Sequence, residues 1–100
     1  MTPVIAFGEA LVDMLSSRLG EAAGNAPETF TPYAGGAPAN VAVACARLGV
    51  PSRFLGMLGE DHFGDFLAAE LASHGVDLSG VVRTREARTA LAFVSRDAHG

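Results

Sequence analysis

Apolar runs and helical apolar spacing alternate along the chain. Val4-Ile5-Ala6-Phe7 is a continuous apolar run that stops at Gly8. Such a run predicts a strand buried on both faces, as in a parallel sheet. Phe54-Leu55-Gly56-Met57-Leu58, ending at Gly59, predicts a second one. Between them, Gly35-Gly36-Ala37-Pro38 opens a helix, with Pro38 suited to the first helical position. Val41, Ala44/Cys45 and Leu48 recur at i, i+3/i+4 and i+7 and predict its apolar face. Gly49 and Pro51 then end it, and its many alanines would let it lie close to a sheet. A second helix is predicted from Asp61, with Phe63, Phe66, Leu67 and Leu71 inward and Gly75 just past its end.

The remaining elements are shorter. Glu9 to Ser16 mixes apolar residues with Asp13, and Ser17 to Glu28 reads as an exposed loop rich in Gly, Pro, Asn and acids. Thr29 to Ala34 alternates polar and bulky residues, and Pro32 makes it an edge strand because proline donates nothing to a ladder. Val81-Val82 begins a short third strand, Arg83 to Arg88 is a charged link, Thr89 to Ser95 is a further strand, and Asp97 to Gly100 resembles a hairpin turn. Strands alternating with helices in this order predict an α/β fold with a mainly parallel sheet. Strands buried on both faces need helices on both sides, and only two helices are predicted. The expectation is therefore that residues 1–100 form the front part of a longer protein.

Composition narrows the function. The 100 residues carry a net charge of −4, and all seven basic residues are arginine. An acidic, scattered surface excludes non-specific nucleic-acid binding, which needs clustered positive charge. The absence of lysine excludes a Schiff base and a Walker-type phosphate lysine within these residues. No apolar run is long enough for a bilayer, and the first residues have no basic leader, so the expected location is the cytoplasm. The single Cys45 allows no internal disulfide. His62, His74 and His99 have no metal-type spacing, and no metal site is expected.

Several residues could touch a ligand. Gly35-Gly36 would let main chain approach one closely before a helix N-terminus, or would simply provide a turn with positive φ. Asn40 offers a donor and an acceptor on an otherwise Ala/Val-rich helix, which suits sugar hydroxyls better than a capping role. Asp13 lies beyond the first strand, where open parallel sheets collect ligands, with Glu9 as its rival. Glu60 and Asp61 are best explained by helix capping, and Arg83, Arg85 and Arg88 by a solvated link. Cys45 reads as a buried structural thiol, the histidines as helix-end or surface residues, and Phe7, Phe54, Phe63 and Phe66 as core. Gly8 to Asp13 lacks the second and third glycines of a dinucleotide-binding turn.

Gly35-Gly36-Ala37-Pro38-Ala39-Asn40-Val41-Ala42, followed by Gly49 and Gly59, resembles the N-terminal signature of the ribokinase-like (PfkB) carbohydrate kinases. Phe7 to Asp13 is similar to the family's first strand and substrate aspartate. Gly59-Glu60-Asp61-His62-Phe63-Gly64 is similar to its G-x-D-x-x-G turn, and Thr89 to Val94 to a lid strand. The Gly-Glu-Ala opening and the Gly-Gly-Ala-Pro-Ala-Asn form are most similar to bacterial fructokinases, with 2-keto-3-deoxygluconate kinases close.

The resemblance implies the front part of a ribokinase-like fold, a parallel sheet flanked by helices with a small β lid built from about 13–34 and 89–96. It implies a sugar site made by Asp13, Gly35, Gly36 and Asn40, with Ala90 and Phe93 as further lid residues beside the sugar. The implied reaction moves the ATP γ-phosphoryl group to a sugar hydroxyl, with Mg²⁺ on the nucleotide. The family's catalytic G-A-G-D segment, its anion hole and its ATP and Mg²⁺ sites are not among residues 1–100. No catalytic residue is therefore assigned, and the fragment alone is expected to be inactive. A homodimer paired through the lids is also implied. The rival expectation is a non-catalytic carbohydrate-binding module.

Overall fold

The computed structural model describes residues 2–19 and 27–96, in the order β1 (Val4–Phe7), β2 (Leu11–Leu19), β3 (Phe30–Gly35), α1 (Ala37–Arg47), β4 (Ser52–Gly59), α2 (His62–Ser73), β5 (Val81–Thr84) and β6 (Leu91–Arg96). The predicted loop at 20–26 and the turn at Asp97 to Gly100 lie outside the described residues. Two three-stranded sheets form. The first, in the order β1-β4-β5, is entirely parallel. The second, in the order β3-β2-β6, pairs β2 antiparallel to β3 and parallel to β6. β3 is an edge strand, as Pro32 requires.

The period of two along β4 decides which residues meet the helices. Phe54 and Leu58 are fully buried, together with Ala6 of β1, Ala39 and Ala42 of α1, and Leu67 and Leu71 of α2. Both helices thus cover one face of the parallel sheet. The alternate residues form the other face, where Ile5, Phe7, Met57 and Val82 are exposed. The expectation that β1 is buried on both faces, with Phe7 in the core, is therefore corrected. No layer among the described residues covers that face, and Phe7 remains 78% exposed.

The inward face of α1 also differs from the expected one. Val41 and Leu48 are exposed, and the helix packs through Ala39, Ala42, Val43 and Ala46. Alanine occurs all round this helix, so the pattern does not single out one stripe. The sheet selects the stripe that brings backbone closest. The Ser52 hydroxyl then donates to the Ala42 carbonyl at 2.7 Å and ties β4 to α1. Pro38 occupies the second helical position rather than the first.

Both helices end as their glycines predict. Gly49 and Gly75 have φ of 82° and 89°. In α1 the Gly49 and Val50 N–H groups donate to Ala46 and Cys45 carbonyls, and in α2 those of Gly75 and Val76 donate to Ala72 and Leu71. These are paired C-terminal bonds of the Schellman type, which satisfy carbonyls the helix leaves free.

Candidate functional site

Asp13 lies beyond β1, as expected, and within β2. Its ladder partners are Tyr33 of β3 and Ala92 of β6, which therefore share its face of the second sheet. Gly35 shares that face two residues along from Tyr33. A Cβ on Gly35 would lie 2.9 Å from the Asp13 carboxyl carbon and still closer to Oδ2. The absence of a side chain at Gly35 is thus what gives the carboxylate its place against the main chain.

Gly36 turns the chain from β3 into α1. Its φ of 97° falls in the region that favours glycine, and an added Cβ would lie 2.8 Å from the Glu9 carbonyl oxygen. Gly36 is also the N-cap of α1, with no side-chain cap and no acid in the first turn. Asn40 stands at the end of that turn, its own N–H donating to the Gly36 carbonyl at 2.9 Å. Its side chain is exposed and, among the described residues, makes no hydrogen bond. A capping explanation for this amide is not supported. Glu9, the rival acid, is exposed in the β1–β2 connection, and it is its carbonyl that abuts Gly36.

The Asp13 carboxylate against Gly35, the Gly36 turn, the uncapped start of α1 and the free Asn40 amide in its first turn thus follow one another along the strand-to-helix junction. A carboxylate accepts hydrogen bonds, an amide both donates and accepts, and exposed helix N–H groups donate. This set matches adjacent hydroxyl groups. The alternation of Tyr33 and Gly35 on one strand face was available in the sequence and points to Tyr33 as a neighbour of Asp13. Phe93 is a correction. It pairs with Met14, on the opposite face from Asp13, and packs edge to face against Phe30 at 5.2 Å.

The acids and arginines that follow β4 are engaged with one another. Asp61 caps α2, its Oδ1 accepting from the Gly64 N–H at 2.7 Å. The Thr89 N–H donates to Oδ2 and the Thr89 hydroxyl to Oδ1, both at 2.8 Å. The Thr89 and Gly64 backbone donors hold the Asp61 carboxyl below its usual pKa, with the Thr89 hydroxyl and the nearby Arg83 charge acting the same way. Arg83 donates to the Gly59 carbonyl and pairs with Asp65 at 2.6 Å, and Arg85 pairs with Glu60 at 2.6 Å. Arg83 is therefore tied into the turn, whereas Arg85, although paired, and Arg88 are exposed to solvent as expected. Cys45 is half-buried, not fully buried as expected, and forms no disulfide among the described residues. His62 packs against the Phe63 ring, His74 lies 4.0 Å from Glu70, and His99 lies outside the described residues. Among the described residues no three metal-ligating side chains converge, and no helix is long and apolar enough to cross a membrane.

A parallel βαβ layer with a small second sheet, joined at a Gly-Gly turn, is the N-terminal part of the ribokinase-like α/β fold. Residues 1–100 match the family described as pfkB family carbohydrate kinase, and the chain belongs to it. It is 52% identical over 97 residues to Fructokinase-1 of Oryza sativa subsp. japonica, covering 97% of this chain and 30% of that protein. A crystal structure of fructokinase with bound ATP from Xylella fastidiosa superposes with a TM-score of 0.86 at 54% identity, covering 93% of this chain and 29% of that one. A putative ribokinase II from E. coli, in its apo form, gives a TM-score of 0.86 at 35% identity over 96% of this chain and 31% of its own. The chain thus spans about 30% of the length of these relatives.

Proposed function

We infer that residues 1–100 are the sugar-binding N-terminal portion of an ATP-dependent sugar kinase of fructokinase type. The observation that carries this reading is the Asp13 carboxylate lodged against side-chain-free Gly35, at the strand end from which Gly36 opens the helix carrying the unpaired Asn40 amide. Asp13 and Asn40 bind adjacent sugar hydroxyls, and Gly35-Gly36 admits the ring close to main chain. The relatives' names support a ketohexose such as fructose as substrate. The second sheet acts as a lid that limits water and orients the acceptor hydroxyl, which is where positioning accelerates phosphoryl transfer.

ATP and Mg²⁺ complete the reaction in this reading. The residues here do not fit that group. They contain no lysine, no converging carboxylates are described, and Arg83 and Arg85 are paired to acids. In this reading the nucleotide and the catalytic base belong to a part of the kinase outside residues 1–100.

Calorimetric titration of fructose into the full-length protein tests the site. Asn40→Ala is expected to weaken binding roughly 10-fold, the loss of one to two polar hydrogen bonds. Unchanged affinity would remove Asn40 from the site.

The same reading includes a homodimer formed through the lid. Phe93 is 65% exposed and, with Phe30, forms an aromatic patch on the face opposite Asp13, so pairing there leaves the sugar face free. Sedimentation of the full-length Phe93→Asp variant is expected to give a monomer. A dimer as tight as wild type would place the contact elsewhere.

A further inference from the structure

The second sheet is joined to the parallel layer through the β1–β2 connection, the Gly36 turn and the 85–90 crossing from β5 to β6. Gly8 N–H donates to the Leu55 carbonyl on the first side, and Gly36 sits against Glu9 there. On the far side the crossing converges on one residue. Thr89 is 8% exposed, and all three of its bonds run to the β4–α2 turn. Its N–H and hydroxyl donate to the two oxygens of Asp61, and its Oγ1 accepts from the Gly59 N–H at 3.0 Å. The turn is shaped for this contact. A Cβ on Gly59 would lie 2.7 Å from Thr89 N, and one on Gly64 would lie 3.0 Å from Thr89 Oγ1 and against the Gly59 carbonyl. Arg83 closes the other side of that carbonyl at 2.9 Å.

The next residues enter the second sheet at once. The Val12 N–H donates to the Ala90 carbonyl at 3.0 Å, Leu91 pairs with Val12, and Ala92 pairs with Asp13. Only two residues, Ala90 and Leu91, therefore separate the Thr89 anchor from the ladder partner of the sugar-binding carboxylate. A helix cap alone needs only the Gly64 bond to Asp61. The further bonds to Thr89 couple the start of α2 to the strand beside Asp13, and α2 as a whole also packs against β2 and β3.

We propose that Asp61 and Thr89 are positioning residues, a clasp that sets where β6, and with it Asp13, stands over the sugar site. Neither touches substrate. The role rests on the sugar-kinase reading above, and the clasp acts on the sugar, not on the nucleotide.

The test uses the full-length protein with Thr89→Val, which keeps the shape and loses the hydroxyl, and Thr89→Ser, which restores it. The valine variant leaves the buried Gly59 N–H unpaired. It is expected to raise KM for the sugar roughly 10-fold, the effect of losing about one such bond. KM for ATP and kcat should stay within about twofold, and Thr89→Ser should return the sugar KM to near wild type. Amide exchange at 91–94 should quicken roughly 10-fold in the valine variant, with β1 and α1 unchanged. A valine variant that melts earlier but keeps the wild-type sugar KM overturns the proposal and leaves a purely structural bond. If the valine variant does not fold, Asp61→Asn is read in the same way. If wild type phosphorylates no sugar, the kinase reading fails and exchange alone decides. Quickening confined to β6 and β2 supports the clasp, and quickening spread over the whole chain overturns it.

Discussion

Asp13→Ala is expected to lower kcat/KM for sugar phosphorylation by the full-length protein roughly 100-fold or more, because hydrogen bonds to a charged group contribute about 1.5–3 kcal/mol each and the proposed site gives this carboxylate two hydroxyls to hold. The melting temperature should change little. Asp13 is only partly buried and, among the described residues, its side chain makes no hydrogen bond, so its loss leaves no donor stranded. Gly35→Ala provides an independent arm. The new methyl group would occupy the place of the Asp13 carboxyl oxygens, so sugar affinity should fall although Asp13 is intact. Steady-state kinetics of the two variants checks this, and wild-type kinetics in both would remove the carboxylate from the site.

The second large effect is on stability. Gly64→Ala is expected to destabilise the full-length protein by about 2–3 kcal/mol, despite an intrinsic helix preference for alanine of about 1 kcal/mol. Gly64 stands in the first turn of α2, and its missing Cβ is the space in which the Gly59 carbonyl lies. That neighbour is backbone, held by Arg83 Nε and Nη2, and it cannot rotate away. Overpacking therefore outweighs propensity. Denaturant midpoints measure the difference, and a variant as stable as wild type would show that the β4–α2 turn yields easily.

Much of this fold is legible in local chemistry. Gly49, Gly75 and Asp61 mark helix ends because backbone freedom and a short carboxylate act within a few residues. Pro32 marks an edge for the same reason. What is not legible depends on partners distant in sequence. β2 was hidden because Leu11-Val12 and Met14-Leu15 put apolar groups on both of its faces, which blurs the alternation of a half-buried strand. Asp13 accordingly reads only as an acid beyond the first strand, with no strand of its own. The inward stripe of α1 could not be chosen from a helix with alanine on every side. Arg83 read as solvated because its partners, Gly59 and Asp65, are 24 and 18 residues away. Phe7 read as core because an apolar run signals a need for cover and does not show which layer provides it.

For the site itself, spacing singled out Gly35, Gly36 and Asn40, and the family signature raised Asp13 above Glu9. The contact between Gly35 and the Asp13 carboxylate was not available from spacing, since it is made across a ladder between strands about twenty residues apart. Thr89 was invisible for the same reason. Its importance lies in bonds to a turn 28 residues upstream.

A crystal structure of the full-length protein with fructose bound tests the central claim most directly. Sugar hydroxyls within hydrogen-bond distance of Asp13 and Asn40, with the ring against Gly35 and Gly36, are the predicted result. A sugar seated away from all four residues would contradict it.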